Sequence, residues 1–269
     1  STFDEVSGQP RQTVHAALPM PLTRADLSSI PAEQRAMRLQ QLIDSESNRP
    51  FDLSQAPLRG LLAQLDVDEH VLILNAQHIV ADGWSLSILV KELTALYSAA
   101  LEGRDSDLPA LPIQYHDYAV WQQTGHSDSA LAPELAYWRE QLGEVHPTLE
   151  LPTDHPRPRH PSGCASRQQL RIDAPLCKAL RELAQARGTS LFSVLLSAFN
   201  VLLYRLSGQT DLRVGVPVAN RTRVETEGLI GCFINTLVMR CQLDGQQPFG
   251  AVLDQVEHNR RQALAHQQL

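Results

Sequence analysis

The residues of this sequence best suited to chemistry are a histidine and, four positions later, an aspartate followed by a glycine. His78, Asp82 and Gly83 stand in the segment QHIVADGWS, directly after an apolar run. A neutral imidazole can accept a proton near pH 7, and an aspartate in a turn can hold that turn by accepting backbone N–H groups. The structural alternative is a core histidine and a turn aspartate without chemistry. So short a pattern by itself favours this structural alternative by about two to one.

The elements around this segment are predicted to be a strand, a tight polar turn and a helix. Residues 71–80 are rich in β-branched side chains, which favours a short buried strand. Because side chains alternate along a strand, His78 is expected to end its apolar face, where it is poorly hydrated and neutral near pH 7. Residues 85–101 place apolar side chains three and four positions apart, as an amphipathic helix does, and Gly103 marks its predicted end.

Composition indicates a globular protein rather than a nucleic-acid-binding or membrane protein. The 269 residues are 43% hydrophobic and 20% charged, and the net charge of −7 argues against a nucleic-acid surface. The most apolar long segment, residues 191–206, carries four polar residues and so favours a buried core helix over a membrane span. The cysteines show no C-x-x-C spacing, which predicts reduced thiols in a cytoplasmic protein and no zinc site. They are Cys164, Cys177, Cys232 and Cys241.

Two α/β lobes are predicted on either side of a proline-rich segment. Residues 146–163 contain five prolines and no hydrophobic periodicity, as expected of a surface connection. We therefore place an N-terminal lobe at residues 1–145, a connection at 146–164 and a C-terminal lobe at 165–269. Strands are predicted at 13–18, 58–65, 71–80, 165–173, 211–219 and 233–243. Helices are predicted at 31–47, 85–101, 129–142, 175–187, 249–267 and from residue 189 or 190 to 206.

Several segments, taken in sequence order, resemble the motifs of the condensation domains of nonribosomal peptide synthetases. QHIVADGWS resembles M-H-H-x-x-x-D-G-W-S, the HHxxxDG signature. Residues 113–121 (IQYHDYAVW) are similar to Y-x-D-F/Y-A-V-W, and residues 215–240 to P-V-A-N-R followed by I-G-x-F-V-N-T-L. Ser1–Phe3 and the pair His266 and Gln267 resemble pieces of R-H-E-x-L-R-T-x-F and H-Q-D-x-P-F-E, which predicts a domain incomplete at both ends. The resemblance spans the whole chain, so the odds on His78 reverse.

What the resemblance implies is an α/β fold with mixed sheets, built as two chloramphenicol-acetyltransferase-like lobes in a V-shaped pseudo-dimer. The active site is expected where the lobes meet. In the family pattern His78 is catalytic, and Asp82 is structural and bonded to an arginine of the R-H-E-x-L-R motif, which this chain lacks. Gly83 is expected to keep the turn open, and Trp84 to pack at the helix start, where it is also a candidate for substrate contact. Asn235, in the F-V-N-T-like match, is a candidate for substrate contact.

One position departs from the family pattern. The first histidine of the family pair is Gln77 in this sequence. By strand alternation it is expected to point away from the face of His78, so it cannot replace the base directly. Because a glutamine both donates and accepts hydrogen bonds, a positioning or substrate-contacting role stays open.

The function that the resemblance implies is peptide-bond formation in nonribosomal peptide synthesis. A donor acyl or peptidyl thioester and an acceptor aminoacyl thioester would each arrive on the phosphopantetheine arm of a peptidyl carrier protein. An adjoining adenylation domain of a multidomain synthetase is a further expected partner, whereas a bound cofactor, a metal, nucleic acid and a membrane are not expected. Two alternatives stay open: a non-catalytic docking platform, supported by Gln77, and a coenzyme A-dependent acyltransferase. The match at 233–236 favours condensation over epimerisation.

Overall fold

The elements of the protein come from a computed structural model, which describes residues 1–125, 128–156, 158–160 and 166–269. Strands and helices are mixed along the chain, which confirms the predicted α/β class. The strands are β1 (Thr2–Val6), β2 (Gln9–Thr13), β3 (Leu22–Asp26), β4 (Leu58–Gln64), β5 (His70–Ala76), β6 (Asp211–Val218) and β7 (Asn235–Gln242). The helices are α1 (Ala32–Asn48), α2 (Gly83–Glu102), α3 (Tyr115–Gly125), α4 (Asp128–Leu142), α5 (Ala174–Ala186), α6 (Leu191–Ser207) and α7 (Phe249–Ala265), with a short 3-10 helix at Val224–Thr226.

Contacts within the chain divide it into two compact units. The first unit consists of Ser1–Tyr118 together with Arg221–Phe233, and the second of Ala119–Asn220 together with Ile234–Leu269. The segment Arg221–Phe233 thus packs on residues more than a hundred positions earlier in the chain. Composition alone does not reveal this long-range packing. These bounds differ from those of the predicted lobes, whose separation at 146–164 stays a prediction.

The first unit is organised around a three-stranded sheet with the order β3-β4-β5. Strand β3 runs parallel to β4, and β4 is antiparallel to β5, with Leu58 opposite Ala76. This pairing places the predicted strand at 58–65 beside the one that leads to His78. Leucine side chains of α1 pack with Leu61 and Ala63 in its core. The predicted strand at 13–18 is wrong, because β2 ends at Thr13, where its pairing with β1 ends.

The second unit packs helices on the antiparallel pair β6 and β7. Leu212 of β6, Leu237 of β7, Leu203 of α6 and Val252 of α7 belong to its main core cluster. Helix α6 begins and ends as predicted, because Ser190 caps its first turn and Gly208, at φ 70°, ends it in a left-handed conformation. The predicted strand at 165–173 is wrong over residues 166–173, which form no strand. Alternating side chains favour a strand, but they do not provide the pairing partner that a strand also needs.

In the described residues, no single helix is both long and apolar enough to cross a membrane. Helices α5 and α6 reach that length and apolar content only as a pair, bent by 106° at their junction. Three of the four polar side chains in this segment lie in the interior, since Ser193, Ser197 and Asn200 are fully buried, whereas Arg205 is exposed. The helix therefore contributes to the core, as predicted, although Phe199 and Leu202 are about half exposed.

Candidate functional site

The candidate site is built on the junction between β5 and α2, in the first unit. Strand β5 ends at Ala76, and the N–H of Gln77 still donates to Pro57 O at 2.8 Å. The backbone then turns, and Val80 N–H donates to Gln77 O at 3.0 Å. Asp82 caps the helix that follows, because its Oδ1 accepts from Ser85 N–H at 2.8 Å. A turn and a helix cap therefore separate the sheet from α2.

His78 lies on this turn and is exposed to solvent. The prediction that it ends the apolar face of a strand, and is poorly hydrated there, is wrong. Because β5 stops two residues earlier, strand alternation no longer sets the direction of this side chain. Its Nδ1 lies 3.7 Å from Cys232 Sγ, within the first unit. The imidazole is therefore open to an incoming group rather than enclosed.

Asp82 is the centre of a buried polar network and is only 4% exposed. Its Oδ1 also accepts from Ser85 Oγ at 2.7 Å, and its Oδ2 accepts from Phe233 N–H at 3.1 Å. Arg221 Nη2 lies 3.2 Å from Oδ1. Burial alone would raise the pKa of Asp82, but the hydrogen bonds from Ser85 and Phe233 and the charge of Arg221 outweigh it, so the pKa is lowered. The carboxylate is thus held ionised, as a structural group.

Arg221 is the arginine that pairs with this carboxylate. The resemblance placed that arginine in the R-H-E-x-L-R motif; the structure supplies it from the P-V-A-N-R segment, so that expectation is corrected. The Arg221 side chain is 1% exposed, and its Nη1 donates to the carbonyl oxygens of Thr226 and Leu229. Its guanidinium lies 4.0 Å from the centre of the Phe233 ring. Sequence spacing holds no signal for this pair, because 139 positions separate its members.

A close approach of backbone and ring fixes the segment that follows Arg221. Gly231 N–H donates to Ser85 Oγ at 3.0 Å, and a Cβ at this position would lie 2.0 Å from the ring of Tyr115. Only glycine fits there. The Tyr115 hydroxyl donates to Cys232 O at 2.7 Å, and burial raises the pKa of this tyrosine to about 12. Tyr115 and Tyr118 pack with Phe233 in a small cluster. In the sequence, Tyr115 stands out only as part of the motif at residues 113–121.

Gly83 and Trp84 begin α2 and differ in what they contact. A Cβ added at Gly83 would meet no atom within 4 Å, so the turn itself does not require glycine there. Gly83 therefore borders open space at the start of the helix. At the start of α2, Trp84 contacts the segment Arg221–Phe233, because its Nε1 donates to Glu227 O at 3.0 Å. Its side chain is nevertheless half exposed.

Gln77 and Asn235, which like Trp84 are candidates for substrate contact, both form hydrogen bonds with backbone atoms. The Gln77 Oε1 accepts from Ile79 N–H at 2.5 Å, which ties the turn on both sides of His78. Asn235 belongs to the second unit, where its Nδ2 donates to Gln267 O at 3.0 Å and Leu269 O at 2.9 Å. Gln77 therefore joins the site around His78, and Asn235 bonds to the last residues of the described chain.

An apolar cavity of about 310 Å³ lies beside the turn in the first unit. The three residues after His78 line it, and so do Tyr115 and Gly231. Its lining is almost entirely apolar: Leu18, Met20, Ala56, Pro57, Leu58, Ala76, Ile79, Val80, Ala81, Leu89 and Ile230, with Ser1 and Gln12 at its polar part. A cavity of this size and character can receive an apolar group of a small ligand.

The chain matches one known family over its full length. The family model described as "Condensation domain" matches residues 1–269. The chain belongs to the condensation-domain family. A linear gramicidin synthase of Brevibacillus parabrevis is 44% identical to this condensation domain over 270 residues, which cover 100% of this chain and 5% of that protein. Chondramide synthase of Chondromyces crocatus is 43% identical over 270 residues, covering 100% of this chain and 7% of that protein. The chain thus spans a small part of each of these curated relatives.

Solved condensation-like structures share the fold. The complex of the X-domain and OxyB from teicoplanin biosynthesis matches with a TM-score of 0.87 and 28% identity, over 100% of this chain and 59% of that one. A four-domain nonribosomal peptide synthetase bound to AMP and glycine matches with a TM-score of 0.86 and 25% identity, over 100% of this chain and 20% of that one. The condensation domain is therefore similar both to part of a synthetase and to a domain solved with a protein partner.

Proposed function

We propose that this condensation domain joins a donor acyl or peptidyl thioester to an acceptor aminoacyl thioester. Both substrates would be carried on the phosphopantetheine arms of carrier domains, and an adenylation domain would load at least one of them. Family membership and the similarity to a gramicidin synthase support the reaction class. The observation that carries the proposal is His78, exposed on a turn whose next residues are anchored by the buried pair of Asp82 and Arg221.

The reaction requires His78 to transfer one proton. The α-amino nitrogen of the acceptor attacks the donor carbonyl carbon, the carbon–sulfur bond breaks, and the phosphopantetheine thiol leaves. An α-amine has a reference pKa near 8, so a neutral imidazole within reach can take its proton and pass it to the leaving thiolate. Such help is worth roughly 10²–10⁴ in rate. Holding two tethered substrates together contributes as well.

The other residues of the site would position His78 rather than react. Asp82 fixes the start of α2, and Gln77 Oε1 fixes the turn through Ile79 N–H. Gln77→His restores the family pair, and we expect this variant to condense at least as fast as the wild type. The apolar cavity beside the turn offers space for an apolar substrate side chain. None of these roles requires a further ionisable group on this chain.

The test compares two histidines of the same segment in a condensation assay between loaded carrier domains, read by mass spectrometry. We expect His78→Ala to lower the rate about 10²-fold or more with an unchanged melting temperature, because the side chain is exposed. His70→Ala is the matched control, since His70 is also exposed and lies at the start of β5. Near-normal turnover by His78→Ala would refute the assignment of His78 as the base.

A docking platform is the second candidate, and one comparison favours it. The X-domain that this chain resembles was solved as a complex with OxyB. In that case the wild-type protein would show no turnover with any loaded carrier pair, and a partner protein would bind with equal affinity to wild type and His78→Ala. The same carrier assay therefore separates the two candidates.

A further inference from the structure

A polar cavity in the second unit shares no residue with the candidate site around His78. It has a volume of about 220 Å³ and lies between the turn that joins α5 to α6 and the middle of α7. Pockets for drug-sized ligands have roughly 300–1,000 Å³, so this cavity suits one small chemical group. The cations Arg187 and Arg261 line it, with side chains that are 46% and 64% exposed.

Glu257 fixes Arg261 at the cavity and is itself fully bonded. Its Oε1 accepts from Arg261 Nε at 2.5 Å and from Arg260 Nη2 at 2.9 Å, and its Oε2 accepts from two hydroxyl groups. These hydrogen bonds, above all that from Arg260, outweigh burial and lower the pKa of Glu257 well below its ordinary value of 4.5. The carboxylate is therefore ionised at neutral pH, and the two arginines beside it balance its charge. Arg261 Nη1 makes no hydrogen bond to any residue that the structure describes.

Arg187 is the second cation at the cavity, and it is only loosely paired. Its Nη1 lies 3.8 Å from Asp254 Oδ2, which is beyond hydrogen-bond distance. Its guanidinium lies against the first turn of α7, where a Cβ added at Gly250 would lie 2.6 Å from Nη2. Within the described part of the chain this guanidinium makes no hydrogen bond, so its donors are available to a group in the cavity.

The charges around the cavity favour an anion. Three arginines face two carboxylates, which leaves one excess positive charge in a chain whose net charge is −7. A guanidinium presents parallel N–H donors that match the oxygens of a phosphate group. We propose that this cavity binds a phosphate group, held between Arg187 and Arg261. The proposal is independent of the condensation reaction, whose base is assigned in the first unit.

The first experiment measures the binding of inorganic phosphate. Calorimetric titration at low ionic strength gives the affinity, and the NMR signals of the Gly188 and Thr189 amides report on the site, because both residues line the cavity. We expect saturable binding that shifts these two signals. Arg187→Gln should weaken it about tenfold or more, because charge-assisted hydrogen bonds to the phosphate are lost. The fold should be unchanged, since this guanidinium bonds no described residue.

Arg181→Gln is the matched control. Arg181 is exposed on α5 and does not line the cavity, so the substitution removes the same charge without touching the site. Asp254→Asn is the converse change and should tighten binding several-fold, because it removes the carboxylate beside Arg187. Absence of saturable binding to the wild type, equal losses in the two arginine variants, or unchanged or weaker binding by Asp254→Asn would overturn the proposal.

The second experiment separates free phosphate from a phosphate ester on a larger molecule. Phosphopantetheine and pantetheine differ in the phosphate group and are titrated against the same two amide signals. If the cavity serves a phosphate ester, phosphopantetheine should bind more tightly than inorganic phosphate; if it serves the free ion, it should bind no more tightly. In both cases pantetheine should leave the signals of Gly188 and Thr189 unchanged. Pantetheine that shifts them as phosphopantetheine does would overturn the recognition of phosphate.

Discussion

Replacing Asp82 by alanine should destabilise the first unit strongly, because it leaves Arg221 without its charged partner. The carboxylate of Asp82 is 4% exposed and the side chain of Arg221 is 1% exposed, so water cannot solvate the orphaned guanidinium. Breaking a buried pair by removing one member costs about 3–5 kcal/mol. The substitution also removes the cap of α2, which by itself is worth about 1 kcal/mol.

A control for this change is Asp4→Ala. Asp4 also bonds an arginine, Arg11, at 2.6 Å, but both side chains are about half exposed. Ion pairs in water contribute little, so we expect a far smaller loss of stability than for Asp82→Ala. If the two substitutions cost the same, burial of the pair is not what stabilises the cap, and the reasoning fails.

The assay must report on the first unit alone, because two units can unfold separately. Urea titration combined with hydrogen exchange of peptides from the start of α2 and from Arg221–Phe233 provides this. In the folded wild type the N–H groups of Ser85 and Phe233 both donate to Asp82. Their exchange should accelerate in Asp82→Ala before that of the second unit. Exchange that accelerates equally in both units would show a global effect instead.

Acid should weaken the same pair. The pKa of Asp82 is lowered from its ordinary value of 3.8, so the ionised carboxylate stabilises the folded state. Its contribution is present above the ordinary value and is lost as the pH falls through the lowered, folded-state pKa. The difference in unfolding free energy between wild type and Asp82→Asn should therefore narrow as the solution is acidified through that range. A constant difference would contradict the ionised state.

Three further changes test other parts of the structure. Gly231→Ala should destabilise the folded protein by about 1–3 kcal/mol or more, because the added Cβ would lie 2.0 Å from a tyrosine ring. Gly83→Ala is the control and should leave the melting temperature unchanged or raise it, since its Cβ meets no atom. Equal melting temperatures of the two variants would refute the close approach at Gly231. Glu257→Ala should lower the stability of the second unit by about 2 kcal/mol in urea unfolding, because the carboxylate accepts hydrogen bonds from two arginines and two hydroxyls between α6 and α7. The 269-residue chain on its own should self-associate in size-exclusion chromatography through exposed apolar side chains of α2. Among these, Val90 and Tyr97 are 59% and 64% exposed, and replacing both with lysine should reduce the self-association.

The helices could be predicted from sequence because their signals are local. Ser190 and Gly208 act within one turn of α6, and Gly103 ends α2 at φ 66° for the same reason. A strand needs a pairing partner elsewhere in the chain. The alternating pattern of residues 166–173 therefore led to a wrong strand prediction, and the polar strand β3 was not predicted. Helix α3 was missed as well, because its apolar and polar side chains are not segregated into faces.

At the site, the sequence could name His78 as the candidate residue but could not show its surroundings. The motif identified His78, Asp82 and the helix that follows, because all three lie within a few positions of one another. It could not show that β5 stops at Ala76, which exposes His78, since a strand end depends on its pairing partners. Nor could it show that Arg221 supplies the charge for the capping aspartate.

The network around Asp82 gives a physical reason why several separate motifs occur together in this family pattern. The capping aspartate comes from HIVADGWS, its arginine from P-V-A-N-R, and the backbone N–H of Phe233 from the segment I-G-C-F. Tyr115, from the motif IQYHDYAVW, packs against Gly231 and bonds the next carbonyl. Each motif thus satisfies a buried polar group of another, and a change in one leaves a charge or a donor unpaired. The shared task is to fix the conformation of one turn, on which the side chain of His78 is exposed.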